Sequence, residues 1–410
     1  MYKKILLSLL VSCSFSTLAV AGGYQLQEYS ITNLGRAFGG AGVAGDDYSA
    51  IAFNPAGMML KDAGVQLGAG AIAIRGHGKG ILRDRENETP LTGPGKGKLR
   101  TNALLPHFFG QTKLGDRVRL GAGVYVPFGL GTYYKKSWFG NTHALNSEIK
   151  TIDTAVSMAF RLTDTISIGA SGFLEYVDAR LTNASYAPLE SDLNADNWHP
   201  GYSFGIMYQP QKETRFGISY RSKVDHQLKG PHYLHVPGHD FKGDCGTKLV
   251  MPEHLMFSAY HEIGDFGISG VARWTRWSRF AKLKIYSDAY AQTGQGEYLP
   301  TVDEDWRNTW TIGVGVDYHY NQNWTYRAGF AVDQGAVKRS ANRTARVPDS
   351  NRYQTSLGFS YTKDNWQFDM AYMHLFWKTT RSYNDNQKTI IDARYHVRMD
   401  ILGASLQYHF

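Results

Sequence analysis

The feature that most constrains this chain is a two-residue alternation of apolar and polar side chains, which recurs from Ala63 onward. In the clearest stretch, apolar residues occupy every second position from Trp310 to Tyr320, and the stretches 324–333 and 353–361 repeat the pattern. A period of two is that of a β-strand with one apolar and one polar face. Strands this long, with aromatic residues at both ends, favour a membrane barrel over a soluble sandwich, because aromatic residues collect at both bilayer interfaces.

Composition supports the same class. Aromatic residues make up 13% of the 410 residues, yet the mean hydropathy is mildly negative at -0.37. Beyond the first 21 residues there is no run of about 18 apolar residues, so helical membrane spans are excluded. The formal net charge of +8 comes without a dense basic run interleaved with aromatic residues. We therefore expect a solvated surface facing anionic lipopolysaccharide, and no nucleic-acid partner.

Turn signals set the number of strands. Short turns are predicted at 113–116, 162–164, 209–213, 262–265, 321–323 and 363–365. Long polar connections are predicted at 77–98, 128–149, 182–197, 230–248, 286–304, 337–349 and 379–393. Strict alternation of short and long connections predicts an all-β fold: a transmembrane antiparallel β-barrel of 14 strands over residues 63–410. The short turns should face the periplasm and the long loops the exterior.

The first 21 residues have the features of a secretory signal. Lys3 and Lys4 precede an apolar run, and Ala19-Val20-Ala21 forms a small-x-small cleavage site, so residues 1–21 are predicted to be removed. A rival interpretation is a lipobox ending at Cys13, although the apolar run before that cysteine is short. Removal of the signal leaves Cys245 alone, so no intrachain disulfide is expected.

Residues 22–62 lack the alternation and are rich in glycine. Glycine permits tight, irregular backbone in a confined space. Asp46-Asp47 open a short helix-compatible run, which Asn54-Pro55 ends, because the residue before proline avoids the helical region. We predict that this segment is an N-terminal hatch, or plug, inside the barrel lumen.

Several motifs carry a family resemblance. They are Gly22-Gly23-Tyr24-Gln25-Leu26-Gln27-Glu28, Leu34-Gly35-Arg36-Ala37-Phe38, Asp46-Asp47, Asn54-Pro55-Ala56, Pro127-Phe128-Gly129-Leu130, Pro252-Glu253, Trp277-Ser278 with Phe280, and Asn323-Trp324-Thr325-Tyr326-Arg327 with Gly329. In order and spacing they resemble the FadL-type long-chain fatty acid transporters of Gram-negative outer membranes. The resemblance implies a hatch whose Asn54, Pro55 and Ala56 take part in gating, and a kink in the third strand through which the ligand leaves sideways.

Two stretches of the third strand and its loop carry candidate ligand contacts. Tyr133, Trp138 and Phe139 stand beside Lys135 and Lys136, a combination that suits an amphiphile with a carboxylate head. The alternative is an aromatic loop that packs on lipopolysaccharide. Upstream, Pro127, Phe128 and Gly129 interrupt the strand, since proline removes a ladder donor and glycine weakens pairing. An ordinary strand end at the membrane rim would have the same sequence.

Charged residues on the barrel give further candidates. Arg180, Lys282 and Lys284 lie near the outer ends of strands and could hold a carboxylate, although structural ion pairs account for each equally well. Asp333 and Arg352 match polar positions of the family pattern and could tie the hatch to the wall through Asn54.

The sequence therefore predicts a passive transporter of the cell outer membrane for long-chain fatty acids. Uptake of aromatic hydrocarbons by the same route, or a non-specific porin, remains an alternative. We expect no enzyme activity, because no spacing groups a Ser/His/acid set, and no cofactor. The histidines at 226, 232, 235 and 239 match no metal-site spacing, so no metal is expected. We also expect a monomer, surrounded by outer-membrane lipids, whose terminal Phe410 is recognised by the barrel assembly machinery.

Overall fold

The wall of the molecule is a closed antiparallel barrel. The structure is a computed structural model that describes residues 22–185, 189–236, 238–386 and 388–410, so the predicted signal lies outside the described residues. The strands are β1 Gly64–Asp84, β2 Gly95–Leu114, β3 Val118–Tyr125 with Gly129–Tyr133, β4 Asn146–Arg161, β5 Ile166–Ser185, β6 Leu189–Gln211, β7 Thr214–Arg221 with Val224–Val236, β8 His239–Met251 with His254–Ile263, β9 Phe266–Thr275, β10 Thr309–His319, β11 Trp324–Asp333, β12 Arg352–Lys363, β13 Trp366–Trp377 with Thr380–Asp385, and β14 Thr389–His409. β14 pairs back onto β1, from Gly64 opposite His409 to Asp84 opposite Thr389.

The predicted count of 14 strands is confirmed for these ranges. The sheet contains 19 hydrogen-bonded segments, because β3, β7, β8 and β13 are each interrupted once and the short segment Ile285–Ser287 adds to β8. All six predicted short turns join neighbouring strands. Closure of the ring leaves no free edge along the seam, as a barrel in hydrocarbon requires.

The alternation predicted from sequence separates the two faces of the wall. In β10 the exposed residues are Trp310, Ile312 and Val314, with Val314 57% exposed, whereas Thr311 between them is buried. Apolar side chains thus face outward, where lipid would cover them, and small or polar side chains face the lumen.

Several predicted long loops prove to be strand. The connection predicted at 77–98 shrinks to a turn between Asp84 and Gly95, and 182–197 and 230–248 are almost entirely paired. The stretch from Gly95 to Lys98 resembles a flexible loop in sequence, yet it is the start of β2. Above the membrane both faces of a strand are polar or small, so the apolar alternation disappears while the backbone ladder continues.

The remaining elements are short. They are α1 Ile31–Gly35, α2 Ala50–Phe53, α3 Asp288–Ala291, the 3-10 helices Pro55–Leu60, Trp277–Arg279 and Ser340–Asn342, and the paired strands Lys282–Leu283 and Val302–Asp303. In the described ranges no helix has the length and apolarity to cross a membrane.

The hatch is fixed to the wall by buried charges. Arg36, which is fully buried, pairs with Asp317 of β10 at 2.8 Å and with Asp46 of the hatch at 2.9 Å. Arg327 of β11 also binds Asp46 at 2.9 Å. Removing one partner from such a pair would leave an uncompensated buried charge, which costs about 3–5 kcal/mol. The body of the hatch is therefore held firmly against β10 and β11.

Candidate functional site

β3 is broken where the sequence predicts an interruption. Its lower segment pairs with β2 as far as Val124 opposite Phe108, whereas its upper segment pairs with β4, from Gly129 opposite Lys150 to Tyr133 opposite Asn146. In the described structure the upper segment has no ladder with β2; instead, the Thr101 hydroxyl donates to the Gly131 carbonyl at 2.7 Å. The wall is thus interrupted between β2 and the upper half of β3.

The first residues of the hatch occupy this break. The Gly129 amide donates to the Tyr24 carbonyl and the Leu26 amide donates to the Pro127 carbonyl, both at 2.8 Å, so that Gln25 lies opposite Phe128. Two hydrogen bonds arranged in this way define a non-hydrogen-bonded antiparallel pair. The start of the hatch therefore takes up backbone groups that the break leaves without strand partners.

An aromatic cluster surrounds this contact. We define it as Tyr24, Phe128, Trp277, Phe280 and Trp306, each at most 8% exposed. The Tyr24 ring lies at its centre, with ring centroids 4.7 Å from Trp277, 5.7 Å from Trp306, 6.1 Å from Phe280 and 6.2 Å from Phe128. The Tyr24 hydroxyl is buried without a hydrogen-bond partner among the described residues, which costs about 1–3 kcal/mol. The packing that closes the break therefore includes one unfavourable contact.

A charged cluster supports the wall beside the break. Arg221 of β7 binds Asp153 of β4 at 2.6 Å and Glu175 of β5 at 2.8 Å, and its guanidinium lies over the Phe173 ring at 3.9 Å. His226 of β7 contacts Glu175 at 3.0 Å. These contacts join three strands on the lumen face, so they hold together the wall beside the break.

The Asn54-Pro55-Ala56 motif contacts the wall at the other end of the hatch. The Asn54 side-chain oxygen accepts from the Ala56 amide at 3.1 Å, and its nitrogen donates to the Ile206 carbonyl of β6 at 3.2 Å. Three of the adjacent wall residues are glycine. A Cβ at Gly169, Gly205 or Gly217 would collide with Pro55 or with the Asn54 side chain.

Asp333 and Arg352 do not act through Asn54. Asp333 accepts from the Gly22 amide at 3.0 Å and from the Thr311 hydroxyl at 2.8 Å, and it pairs with Arg352 at 3.1 Å. The expected tie between hatch and wall is thus present. It holds Gly22, next to the aromatic cluster, whereas Asn54 binds β6.

The loop at 134–145 covers the mouth of the barrel. Trp138 is 5% exposed and stacks on Tyr134 at 4.0 Å, and Phe139 is partly buried. Gly95 and Gly97 of β2 have these two rings against their backbone. Tyr134 donates to the Ala345 carbonyl of the loop 334–351 at 2.9 Å, so two loops pack together over the lumen. Tyr133 is half-buried at the upper end of β3. Ligand contacts by Tyr133, Trp138 and Phe139 remain a prediction.

The three predicted cations occupy exposed positions with neighbours of their own. Arg180 binds Asp192 through two hydrogen bonds, Lys282 lies 3.4 Å from Asp303, and Lys284 lies over the Tyr298 ring at 3.9 Å. Their role as carboxylate ligands also remains a prediction.

A different cation lies closer to the closed break. Arg346, partly exposed in the loop 334–351, donates to the Ser147 hydroxyl at 2.9 Å, and among the described residues no carboxylate oxygen lies within 4.0 Å of it. Burial lowers the pKa of Arg346 to about 10, and Glu304 offsets part of this decrease. Burial also raises the pKa of Glu304 to about 7, although the Trp306 indole, which donates to it at 2.9 Å, and Arg346 act in the opposite direction. Glu304 thus bonds to Trp306 of the aromatic cluster and acts on Arg346 through its charge alone.

The histidines expected in an exterior loop lie on strands instead. His226 and His232 are buried on the lumen side of β7, where His232 contacts Ser191 and Ser287, while His235 faces outward and contacts Asp240. His226 and His232 share a face but lie six residues, about 20 Å, apart along the strand, and His235 points to the opposite face, so these three side chains do not converge on a common point.

Several residues of this site were not predicted from the sequence. Tyr24, Trp277 and Phe280 served only as marks of the family resemblance, and Arg221, Trp306 and Arg346 were not singled out. The density of aromatic residues in two motifs far apart was a usable signal for the cluster. No sequence signal distinguished Arg346, because several other basic residues surround it in a polar loop.

Together these features define a class of protein: an outer-membrane barrel whose lumen is filled by a hatch and whose wall is interrupted next to an apolar cluster. The model of the outer membrane protein transport family (OMPP1/FadL/TodX) matches residues 12–410, and the chain belongs to this family. It is therefore an outer-membrane transporter of fatty acids or hydrophobic aromatic compounds, in a family of transporters and not of enzymes.

Similar proteins cover nearly the whole chain. A putative outer membrane protein of Neisseria meningitidis serogroup B is 28% identical, covering 98% of both chains. The long-chain fatty acid transport protein of Salmonella typhi is 27% identical, covering 88% of this chain and 89% of its own length. The crystal structure of a Pseudomonas aeruginosa FadL homologue matches with a TM-score of 0.86 and 25% identity, over 95% of this chain and 100% of that chain.

The glycine contacts of Asn54 generate a testable prediction. Replacing Gly205 by alanine places a methyl group where the Asn54 oxygen lies, so the hatch must shift. Overpacking of this kind costs about 1–3 kcal/mol. We expect Gly205→Ala to increase ion conductance across planar bilayers severalfold.

The matched control is Gly172→Ala, because Gly172 faces outward on β5 and a Cβ there meets nothing within 4 Å. It should conduct like the wild type. Equal conductance of both variants and the wild type would contradict the role of these contacts in seating the hatch.

Proposed function

We propose that this protein takes up long-chain fatty acids passively at the outer surface of the membrane and releases them sideways, between β2 and β3, into the bilayer. The ligand is captured beneath the outer loops, passes Arg346 and the aromatic cluster, and leaves through the break in β3. One observation carries the proposal. The wall lacks a ladder between β2 and Gly129–Tyr133, and the hatch residues Tyr24 and Leu26 bond to Gly129 and Pro127 at the lower end of that interval.

The physical chemistry of the ligand favours a lateral route. Transfer of a 16-carbon chain from lipid into water costs roughly 10 kcal/mol or more, at about 0.8 kcal/mol per CH2 group. A passive carrier has no energy source to offset this cost. A downhill path for such a ligand therefore ends in the bilayer, and it needs an opening in the wall at membrane depth.

Opening requires only a local change in the hatch. Two backbone hydrogen bonds, the packing of the Tyr24 ring and the Gly22 amide on Asp333 join the start of the hatch to the wall. The Gln25 side chain also contacts His254 and Thr275, both at 3.0 Å. Arg36, Asp46 and Asp317 fix the body of the hatch to the wall. Withdrawal of Tyr24 would remove the central ring of the aromatic cluster and give its unpaired hydroxyl access to water. The wall itself can stay unchanged, since Arg221 and its partners hold the strands beside the break.

A disulfide tests this route. A non-hydrogen-bonded pair has its Cα atoms about 4.5 Å apart, within the range of a disulfide. We expect the Gln25→Cys/Phe128→Cys variant, in a Cys245→Ser background, to lose uptake of labelled oleate when oxidised, because the start of the hatch can no longer leave the break. Reductant should restore uptake.

The two single-cysteine variants are the controls and should respond to neither oxidant nor reductant. Full uptake by a quantitatively oxidised double variant would exclude the lateral exit and leave a continuous channel into the periplasm.

Arg346 is the cation best suited to the ligand head group. It is partly exposed, its nearest described acceptors are neutral, and it feels the charge of Glu304, which bonds to Trp306 of the aromatic cluster. A carboxylate at this position would give Arg346 a charge-assisted hydrogen bond, which is stronger than its present bonds to amide and hydroxyl oxygens. Arg180 and Lys282 already have carboxylate partners.

Substitution of Arg346 should separate charged from neutral ligands. We expect Arg346→Gln to weaken oleate binding by about 1.5–3 kcal/mol, the strength of a hydrogen bond to a charged group. Binding of hexadecane should stay unchanged. The measurement is calorimetric titration in detergent.

The Lys282→Gln/Lys284→Gln double variant is the comparison. It removes two exposed charges and should leave oleate affinity intact. Weakened oleate binding by the lysine variant, together with unchanged binding by Arg346→Gln, would instead assign the head-group site to the exposed lysines at the outer surface.

Glu304 should make anion binding dependent on pH. Because its pKa is raised to about 7, Glu304 is mostly neutral at pH 6 and mostly ionised at pH 8. Its negative charge then competes for Arg346 and repels an anionic head group. We expect hexadecyl sulfate, which stays ionised throughout, to bind several times more weakly at pH 8 than at pH 6. Glu304→Gln should abolish the difference; a pH dependence that survives this substitution would assign it to another group.

The aromatic cluster supports aromatic hydrocarbons as a second ligand class. Once Tyr24 withdraws, the four rings around its position would accept a monocyclic aromatic molecule through ring contacts alone. Such a ligand would not depend on Arg346, so the comparison above also separates the two classes. A non-specific porin would admit small sugars, which the filled lumen opposes. We further propose that the protein is monomeric and that Phe410 serves barrel assembly.

A further inference from the structure

The outer surface of the barrel carries a basic grid across the seam. Directly opposed residues of β2, β1 and β14 form three rows, each of three basic side chains. The rows are Arg100–Arg75–Arg398, Lys98–His77–His396 and Lys96–Lys79–Arg394. All nine positions belong to the outward-facing set of their strands, and we refer to them as the basic grid. Seven of the nine are lysine or arginine, in a chain whose formal net charge is only +8.

The side chains of the basic grid form no ion pair with any described residue. In the described ranges no carboxylate oxygen lies within 4.0 Å of any of the nine side chains. The acids at its two edges are already engaged: Asp400 accepts from Tyr372 and contacts His374, both at 2.7 Å, and Asp392 binds Arg381. Like charges directly opposite on neighbouring strands destabilise a sheet. An external polyanion would relieve this repulsion.

The basic grid also borders a groove and an apolar trough. The groove has a volume of about 420 Å³ and is lined by Arg75, His77, Lys98, Arg100 and Arg398, among others. Below it, towards the membrane, Ala71 of β1 lies between Leu104 of β2 and Leu402 of β14, each of them 48% exposed.

This trough continues along β1. Ala69 and Ala73 lie on the same outward face, so small side chains leave a shallow channel between the larger ones. The first row of the basic grid lies two residues above Ala73 along β1, a rise of about 7 Å. Cations thus lie at the level of lipid head groups, and the trough lies at the level of acyl chains.

We propose that the basic grid binds a phosphorylated glycolipid of the outer leaflet, with its phosphates on the cationic rows and an acyl chain in the alanine trough. The position favours this occupant over a soluble phosphate, because the cations and the trough form one continuous surface. Three rows of cations suit a head group with more than one phosphate. The site is on the outside of the wall, so it is separate from the transport route.

The first experiment counts lipid A on the full-length protein extracted from outer membranes in mild detergent. The Lys79→Gln/Lys98→Gln/Arg100→Gln variant should retain lipid A at roughly one tenth of the wild-type level or less, since each cation near a membrane surface contributes a comparable share of the attraction. The Arg117→Gln/Lys212→Gln/Lys363→Gln variant removes the same charges from exposed periplasmic turns and should match the wild type. Equal retention by all three proteins would overturn the proposal.

A second measurement needs no variant and therefore does not depend on folding of the triple mutant. Delipidated wild-type protein is titrated in micelles with bisphosphorylated lipid A, with dephosphorylated lipid A and with cardiolipin, and followed by native mass spectrometry. We expect about tenfold preference for the bisphosphorylated form over both others. Equal binding of the dephosphorylated form would assign binding to the trough alone, and equal binding of cardiolipin would make the grid a general anionic-lipid surface; either result rejects the specific site.

Discussion

Every part of this molecule depends on the need of the backbone for hydrogen bonds in a medium that supplies none. The closed ladder from β1 to β14 satisfies the wall, and at the break in β3 part of this ladder is missing. There, Tyr24 and Leu26 of the hatch form hydrogen bonds with backbone groups of β3 that a neighbouring strand would otherwise bond. The break in the wall and the hatch segment that covers it therefore depend on the same hydrogen bonds. Because the covering segment is not a strand of the barrel, it can be withdrawn.

The hatch combines two kinds of attachment that differ in strength. Arg36, Asp46, Arg327 and Asp317 form a buried charge network, in which the loss of any member leaves an unpaired charge. Near the break the attachment consists of hydrogen bonds, including that of the Gly22 amide to Asp333, and of ring packing around Tyr24. This division lets a small part of the hatch move while the rest stays in place, which is how a filled lumen can be compatible with passage of a bulky apolar molecule.

The period of two predicted the strands correctly wherever lipid meets the wall, since burial in hydrocarbon forces apolar residues onto one face. The period of two did not predict the parts of the strands that lie above the membrane. Gly95, Lys96, Gly97 and Lys98 were interpreted as a flexible loop, although the glycines lie under Trp138 and Phe139 and the lysines face outward. The break in β3 was predictable because proline cannot donate to a ladder. The positions of Arg346 and Tyr24 were not, since each depends on contacts between segments far apart in sequence.

The glycines of β5, β6 and β7 that face Asn54 and Pro55 have a consequence for how such proteins diversify. Gly169, Gly205 and Gly217 leave space that matches the outline of this hatch. A hatch taken from a relative with different side chains at these contacts would meet a surface shaped for another occupant. Hatch and wall must therefore change together during evolution, and a chimaera between two relatives requires the exchange of the inner-face residues along with the plug.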